Sequence, residues 1–215
     1  MTEERTPVAY TGSTRNIIWT LLSDGLYYYI VDTYDNLGNY NSTELRNVTL
    51  DSLDPVVSYT TGTADNNSYV STDGIFVNIT YSEDNFKNRT FYLYNSSGLI
   101  DTQNPINYYY QFGPLPSTEY WYNAVVCDLA NNCGSSPTRK ITLDETNPTV
   151  DFGANTQSNN ANVSKNWIFI NSSITEANYA NITFYLYSSS RSLLNETTLT
   201  GSTTYINFTD LSSAQ

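Results

Sequence analysis

The string Thr90-Phe91-Tyr92-Leu93-Tyr94 returns unchanged as Thr183-Phe184-Tyr185-Leu186-Tyr187. The same spacing, about 93 residues, relates Pro55 to Pro148, Asn78 to Asn171, Glu83 to Glu176, Asn88 to Asn181 and Asp35 to Asp128. It also relates Thr49-Leu50-Asp51 to Thr142-Leu143-Asp144. Trp19, Phe112 and Phe208 line up as well, and so do Leu22, Leu115 and Leu211, with a short insertion in the last stretch. One match at one offset is coincidence, but this many is the mark of a repeated module. The fold must therefore be one that can be copied along a chain.

The repeat divides the chain into residues 1–53, 54–146 and 147–215. Asp54-Pro55 and Asn147-Pro148 stand at the joins, each after a strand-like run (Asn47–Leu50 and Lys140–Leu143) that a proline would stop. The middle stretch is a whole unit. The first reads as the C-terminal part of a unit and the last as the N-terminal part of one.

Within the middle unit the apolar period is two, which specifies strands. The expected strands are Val56–Tyr59, Ile75–Ser82, Arg89–Tyr94, a short Leu99–Asp101, Ile106–Phe112, Glu119–Cys127 and Arg139–Asp144. Clusters of Asn, Gly, Asp, Ser and Pro separate them, and no window keeps a 3.6 period. Seven short strands with turn signals between them define an all-β chain of tandem antiparallel β-sandwiches, immunoglobulin-like in shape.

Composition narrows the function. Nine Lys and Arg stand against 21 Asp and Glu, a net charge of −12, which argues against a nucleic-acid partner. Histidine is absent, removing Ser-His-Asp and Cys-His mechanisms and the commonest zinc ligand. Met1–Pro7 carry no long apolar run and no stretch approaches a membrane span. The expectation is a mature or excised piece without membrane insertion in this segment.

Gly25–Tyr29, the loop Asp35-Asn36-Leu37-Gly38-Asn39, Val48–Asp51 and Asp54-Pro55 together resemble tandem immunoglobulin-like, or fibronectin type III-like, repeats of prokaryotic cell-surface proteins. The cysteine-flanked version of the loop, Cys127 to Cys133, resembles archaeal examples. The resemblance implies an extracellular setting, and such modules serve as stalks, adhesins, surface layers and filaments.

Cys127 and Cys133 bracket a hairpin loop, and Tyr34 and Tyr40 hold the matching places in the first stretch. Such a swap places the two positions opposite each other across a hairpin. A disulfide in an oxidising compartment is the favoured reading; two reduced thiols, or a redox or metal role, are the alternatives. N-glycosylation sequons occur at Asn41, Asn47, Asn66, Asn78, Asn88, Asn95, Asn162, Asn171, Asn181, Asn195 and Asn207, more than random placement would give. Alternation along strands could turn Asn78, Asn88, Asn171, Asn181 and Asn207 outward. The competing reading is an unmodified, solvated Asn/Ser/Thr-rich surface.

Asp32, Asp35, Asp51, Asp54, Asp128 and Asp144 lie near loops or joins. Interdomain calcium is one reading and solvated turn residues the other; no metal site and no cofactor is assigned. Twenty tyrosines supply rings to both faces of strands, as in Tyr27–Tyr29 and Tyr108–Tyr110, for packing or for sugar stacking. No catalytic residues are identified, and the chain reads as a non-enzyme.

The partial end units carry complementary strand sets. The last lacks the final two strands of a sandwich, while the first supplies them in 25–34 and 42–51. One reading is a surface filament or stalk polymerising head to tail by strand complementation, with other copies and N-linked glycans as partners. Against it, the strand before the last two is present twice, because Thr11–Leu22 aligns with Thr200–Leu211. The bland reading is a window from a longer repeat protein. An adhesin or carbohydrate-binding repeat is the alternative function, with an accessory region of a surface enzyme third.

Overall fold

The computed structural model describes residue 9 and residues 16–211; residues 1–8, 10–15 and 212–215 lie outside the described residues. The chain order is β1 (Gly25–Tyr29), β2 (Asp32–Tyr34), β3 (Tyr40–Ser42), β4 (Arg46–Leu50), β5 (Val56–Tyr59), β6 (Ser68–Val70), β7 (Ile75–Ser82), β8 (Phe86–Asn95) and β9 (Gly98–Gln103). It continues with β10 (Tyr109–Phe112), β11 (Glu119–Asp128), β12 (Cys133–Ser135), β13 (Arg139–Leu143), β14 (Thr149–Phe152), β15 (Ile168–Thr175), β16 (Asn181–Tyr187), β17 (Leu193–Thr200) and β18 (Tyr205–Phe208). No helix occurs among the described residues. The chain is all-β.

β5–β13 form a closed sandwich. One sheet has the order β10-β7-β5; the other runs β6-β13-β11-β8-β9, with β12 also on β11. Every pair is antiparallel except β13 with β6. The period-two pattern places Ile75, Val77 and Ile79 of β7 against Phe91 and Leu93 of β8, Tyr120, Tyr122, Ala124 and Val126 of β11, and Ile141 and Leu143 of β13. These side chains are essentially removed from water. Burial of each large one stabilises by about 1.5–3 kcal/mol.

The strand expectations for 56–59 and 75–82 match the structure. The others differ at their ends: β8 and β9 are longer than expected and β10 is shorter. Two elements were not expected. β6 is an isolated Ser-Tyr-Val run whose pairing comes from β13, and β12 is the return strand of the disulfide hairpin.

On either side stand two smaller strand groups. β1 pairs β4 and β2 pairs β3, so the expected single strand over 25–34 is broken at Ile30-Val31. Downstream, β14-β15-β18 form one sheet and β16-β17 another. Residues 16–22, expected to belong to a strand, are not strand; 11–15 lie outside the described residues.

Candidate functional site

The loop after β11 is organised by Asp128. Its Oδ1 accepts the Asn132 N–H at 2.8 Å and its Oδ2 accepts Asn132 Nδ2 at 2.7 Å. Burial raises the Asp128 pKa, but the Asn132 amide and the loop N–H groups outweigh it and hold the carboxyl below its ordinary value. Asp35 makes the same two bonds with Asn39, at 2.9 and 2.7 Å, and its pKa is lowered chiefly by the Asn39 side chain. Cys127 and Cys133 face each other across this loop and form a disulfide, with Cα atoms 4.2 Å apart. Tyr34 and Tyr40 hold the corresponding register and stack at 5.7 Å between ring centroids.

A second device sits at each join. Asn85 Nδ2 donates to Asp51 Oδ2 at 2.6 Å, and Asn132 Nδ2 donates to the Asp51 carbonyl at 2.9 Å. At the second join, Asn178 Nδ2 donates to Asp144 Oδ2 and lowers the Asp144 pKa. Glu83 and Glu176 fix these amides by accepting the backbone N–H of Asn85 and Asn178, at 2.6 and 2.7 Å. The acids read from sequence as turn residues thus divide. Asp35 and Asp128 shape loops, Asp51 and Asp144 clasp joins, and Asp32 accepts from Ser42 at 2.5 Å.

The carboxylates of Asp51, Glu83 and Asp128 come within 4.8 Å of one another. Sequence reasoning did not group Glu83 with the other two. An all-oxygen set is what a hard cation such as calcium takes. Here the side-chain amides of Asn85 and Asn132, with the Asn85 N–H, already meet that charge, so the cluster is accounted for as part of the join.

Of the sequon asparagines, Asn41, Asn47, Asn66, Asn88, Asn162, Asn181, Asn195 and Asn207 are exposed, whereas Asn78, Asn95 and Asn171 are half-buried. Asn78 and Asn171 lie on the outward face of their strands, as expected, but are half-covered there. Their Nδ2 atoms donate to the Thr61 and Ala154 carbonyls at 3.1 and 3.2 Å. The nitrogen that would carry a sugar is therefore engaged in pinning a chain arch.

A concavity of about 1270 Å³ opens between Phe152, Ile170, Ile174, Ile182 and Phe184, with Tyr69 and Val70 of the closed sandwich also lining it. It exists because β16 pairs only β17, so no strand among the described residues covers the other edge. In the closed sandwich the matching edge of β8 is covered by β11. β1 is left in the converse state, paired among the described residues to β4 alone. The consequences show in burial: Val57 is 7% exposed and its counterpart Val150 67%, while Ile141 is 1% exposed and its counterpart Val48 44%. These chemically similar side chains differ in what lies over them.

Together these features define a chain of immunoglobulin-like β-sandwich class. No family model and no curated protein matches it. Among solved structures, it is similar to the fibronectin(III)-like modules of Clostridium thermocellum CbhA, with 12% identity over 41% of this chain and 95% of that one, at a TM-score of 0.30. It is also similar to the BSP domain of a biofilm associated protein, with 12% identity over 72% of this chain and 25% of that one, at 0.27. A third is dimeric latent PorU from Porphyromonas gingivalis, with 12% identity over 77% of this chain and 18% of that one, at 0.34.

Proposed function

We propose that this chain is a non-enzymatic structural component of an extracellular, cell-surface filament or stalk, in which copies join head to tail by completing each other's open sandwiches. The observation that carries this reading is the complementary exposure of the two ends. The apolar positions of β1 and β4 match those that close the core in β11 and β13, and the C-terminal group presents the cleft that such strands would close. Open edges of this kind are templates for strand addition. A contact between different surfaces of identical copies does not close on itself, so repetition gives a fibre.

The duplicated strand weakens as an objection, since residues 16–22 form no strand while β18 is paired to β15. The disulfide supports an oxidising, extracellular setting, and eight exposed sequons are compatible with a sugar coat. The division at residues 54 and 147, with a whole unit between partial ones, is part of the same proposal. Carbohydrate binding has less in its favour: the outward rings stack in matching places, Tyr92 on Tyr94 and Tyr185 on Tyr187, as packing devices do.

Electron microscopy of the purified chain tests the reading. Fibres with one chain per axial repeat are the expected result. Monodisperse particles at all concentrations would remove polymerisation and leave a surface stalk or adhesin segment.

A further inference from the structure

The head-to-tail reading leaves the geometry of the contact open, and the closed sandwich supplies it. Resting on that reading, we propose that the edge of β16 receives the β1–β4 hairpin of a second copy in the register of β11 on β8. That register sets Val31 opposite Phe184, Tyr29 opposite Leu186 and Asp32 opposite Thr183. A second, parallel seam joins β4 to residues 161–163.

Both halves are already formed in the required register. β1 pairs β4 as Leu26↔Thr49 and Tyr29↔Arg46, matching Glu119↔Thr142 and Tyr122↔Arg139 between β11 and β13. Val31 N–H donates to Thr43 Oγ1 at 3.1 Å, as Ala124 N–H does to Ser136 Oγ at 2.9 Å. On the receiving side, Val150↔Ile174 and Ile168↔Phe208 repeat Val57↔Tyr81 and Ile75↔Phe112. The gaps in strand structure fall where a partner is needed. Ile30-Val31 are not strand although Asn123 and Ala124 lie within β11, and 161–163 are not strand although Ser68–Val70 pair with β13.

An unpartnered group marks the same seam. Gln157 Oε1 is buried with no hydrogen-bond donor among the described residues. At the matching place in the closed sandwich, the Ala64 carbonyl accepts Tyr122 Oη at 2.9 Å and an Arg139 nitrogen at 2.6 Å. The hairpin residues that would bring those donors to Gln157 are Tyr29 and Arg46. Arg139 also stacks 4.4 Å from the Tyr59 ring centroid. Arg46 in that position would cover Phe152, now 74% exposed.

The hairpin of residues 25–50 that enters the cleft comes from another copy. The hairpin is clasped at the Asp128 end of β11 through Asp51, and the cleft is clasped at the Glu119 end through Asp144. Ten residues of strand separate these ends by about 30 Å. A chain cannot fill its own cleft without breaking a join.

The test mixes two full-length single variants, Asp32→Cys and Thr183→Cys, at positions that face outward in this register, with Cys127–Cys133 intact. Mild oxidation is expected to give a covalent heterodimer, with the 32–183 link identified by mass spectrometry. Ile30→Cys with Tyr185→Cys, two residues along the same face, should link likewise. The shifted mixture, Asp32→Cys with Tyr185→Cys, should lose the link. Fibres in the microscope with links only in the shifted mixture, or with no links, overturn the register while the filament stands. Absence of both fibres and links overturns the filament reading too. A chain carrying both Asp32→Cys and Thr183→Cys that closes on itself as a monomer overturns the second copy as donor.

Discussion

Three aspartates and Tyr59 are among the groups that tie the stability of this chain to pH. Asp35, Asp128 and Asp144 are all held below their ordinary pKa of 3.8, with side-chain amides of Asn39, Asn132 and Asn178 as donors to the charged form. A lowered folded pKa means that the unfolded chain binds protons more readily. The stability these groups contribute is therefore present above pH 3.8 and is lost as the pH falls through the lowered values. At the other extreme, burial pushes Tyr59 from 10.0 up to about 12. Its hydroxyl donates to the Pro137 carbonyl at 2.8 Å, a bond the phenolate cannot make. Stability linked to Tyr59 is full below pH 10 and declines as the pH rises from there through about 12. Urea melts across both limits, with tyrosinate absorbance followed at the alkaline one, check this. A flat midpoint from pH 2 to 12 would contradict both assignments.

Among elements, identical residues are worth different amounts according to what covers them. Leu93 is fully buried between β11 and the opposite sheet, whereas Leu186, its counterpart in β16, is only half-buried. Leu93→Ala should cost about 2–5 kcal/mol, the usual range for emptying a core position. Leu186→Ala should cost clearly less in dispersed chains, and its effect should approach that of Leu93→Ala only when chains are assembled. Denaturation of both variants, below and above the concentration at which fibres form, measures the difference. Equal costs in dispersed chains would mean that the cleft is already closed. The broken strand at Ile30-Val31 has the same origin, because β11 keeps ten continuous residues only with partners on both sides.

For the whole molecule, the joins decide whether the strand groups form a stiff rod or a loose string. Each join combines a proline with an Asp–Asn clasp across it, Asp51 to Asn85 and Asp144 to Asn178. Removing the amide in Asn85→Ala or Asn178→Ala should leave the central sandwich folded and widen the distribution of interatomic distances in small-angle X-ray scattering. An unchanged distribution in both variants would show that proline and packing alone fix the angle. Gly134 adds a constraint at the first join, since a side chain there would overlap the Pro55 carbonyl oxygen.

The sequence by itself determined the elements whose cause is local. Period-two alternation placed β5 and β7 to the residue, and the Cys-for-Tyr exchange pointed to the facing pair that proved to be a disulfide. What depended on distant partners was decided only in the tertiary structure. β6 is too short and too polar to announce itself, and exists because β13 offers a parallel edge. Arg89, at the edge of an expected strand, is buried with its guanidinium over Phe86 and Tyr108, which no local pattern signals. Glu83 meets Asp51 and Asp128 only because the join folds back on two loops. Periodicity says which face of a strand is apolar, but not what will cover it: Val57 and Val150 carry the same side chain, and only the strands packed over Val57 make it core.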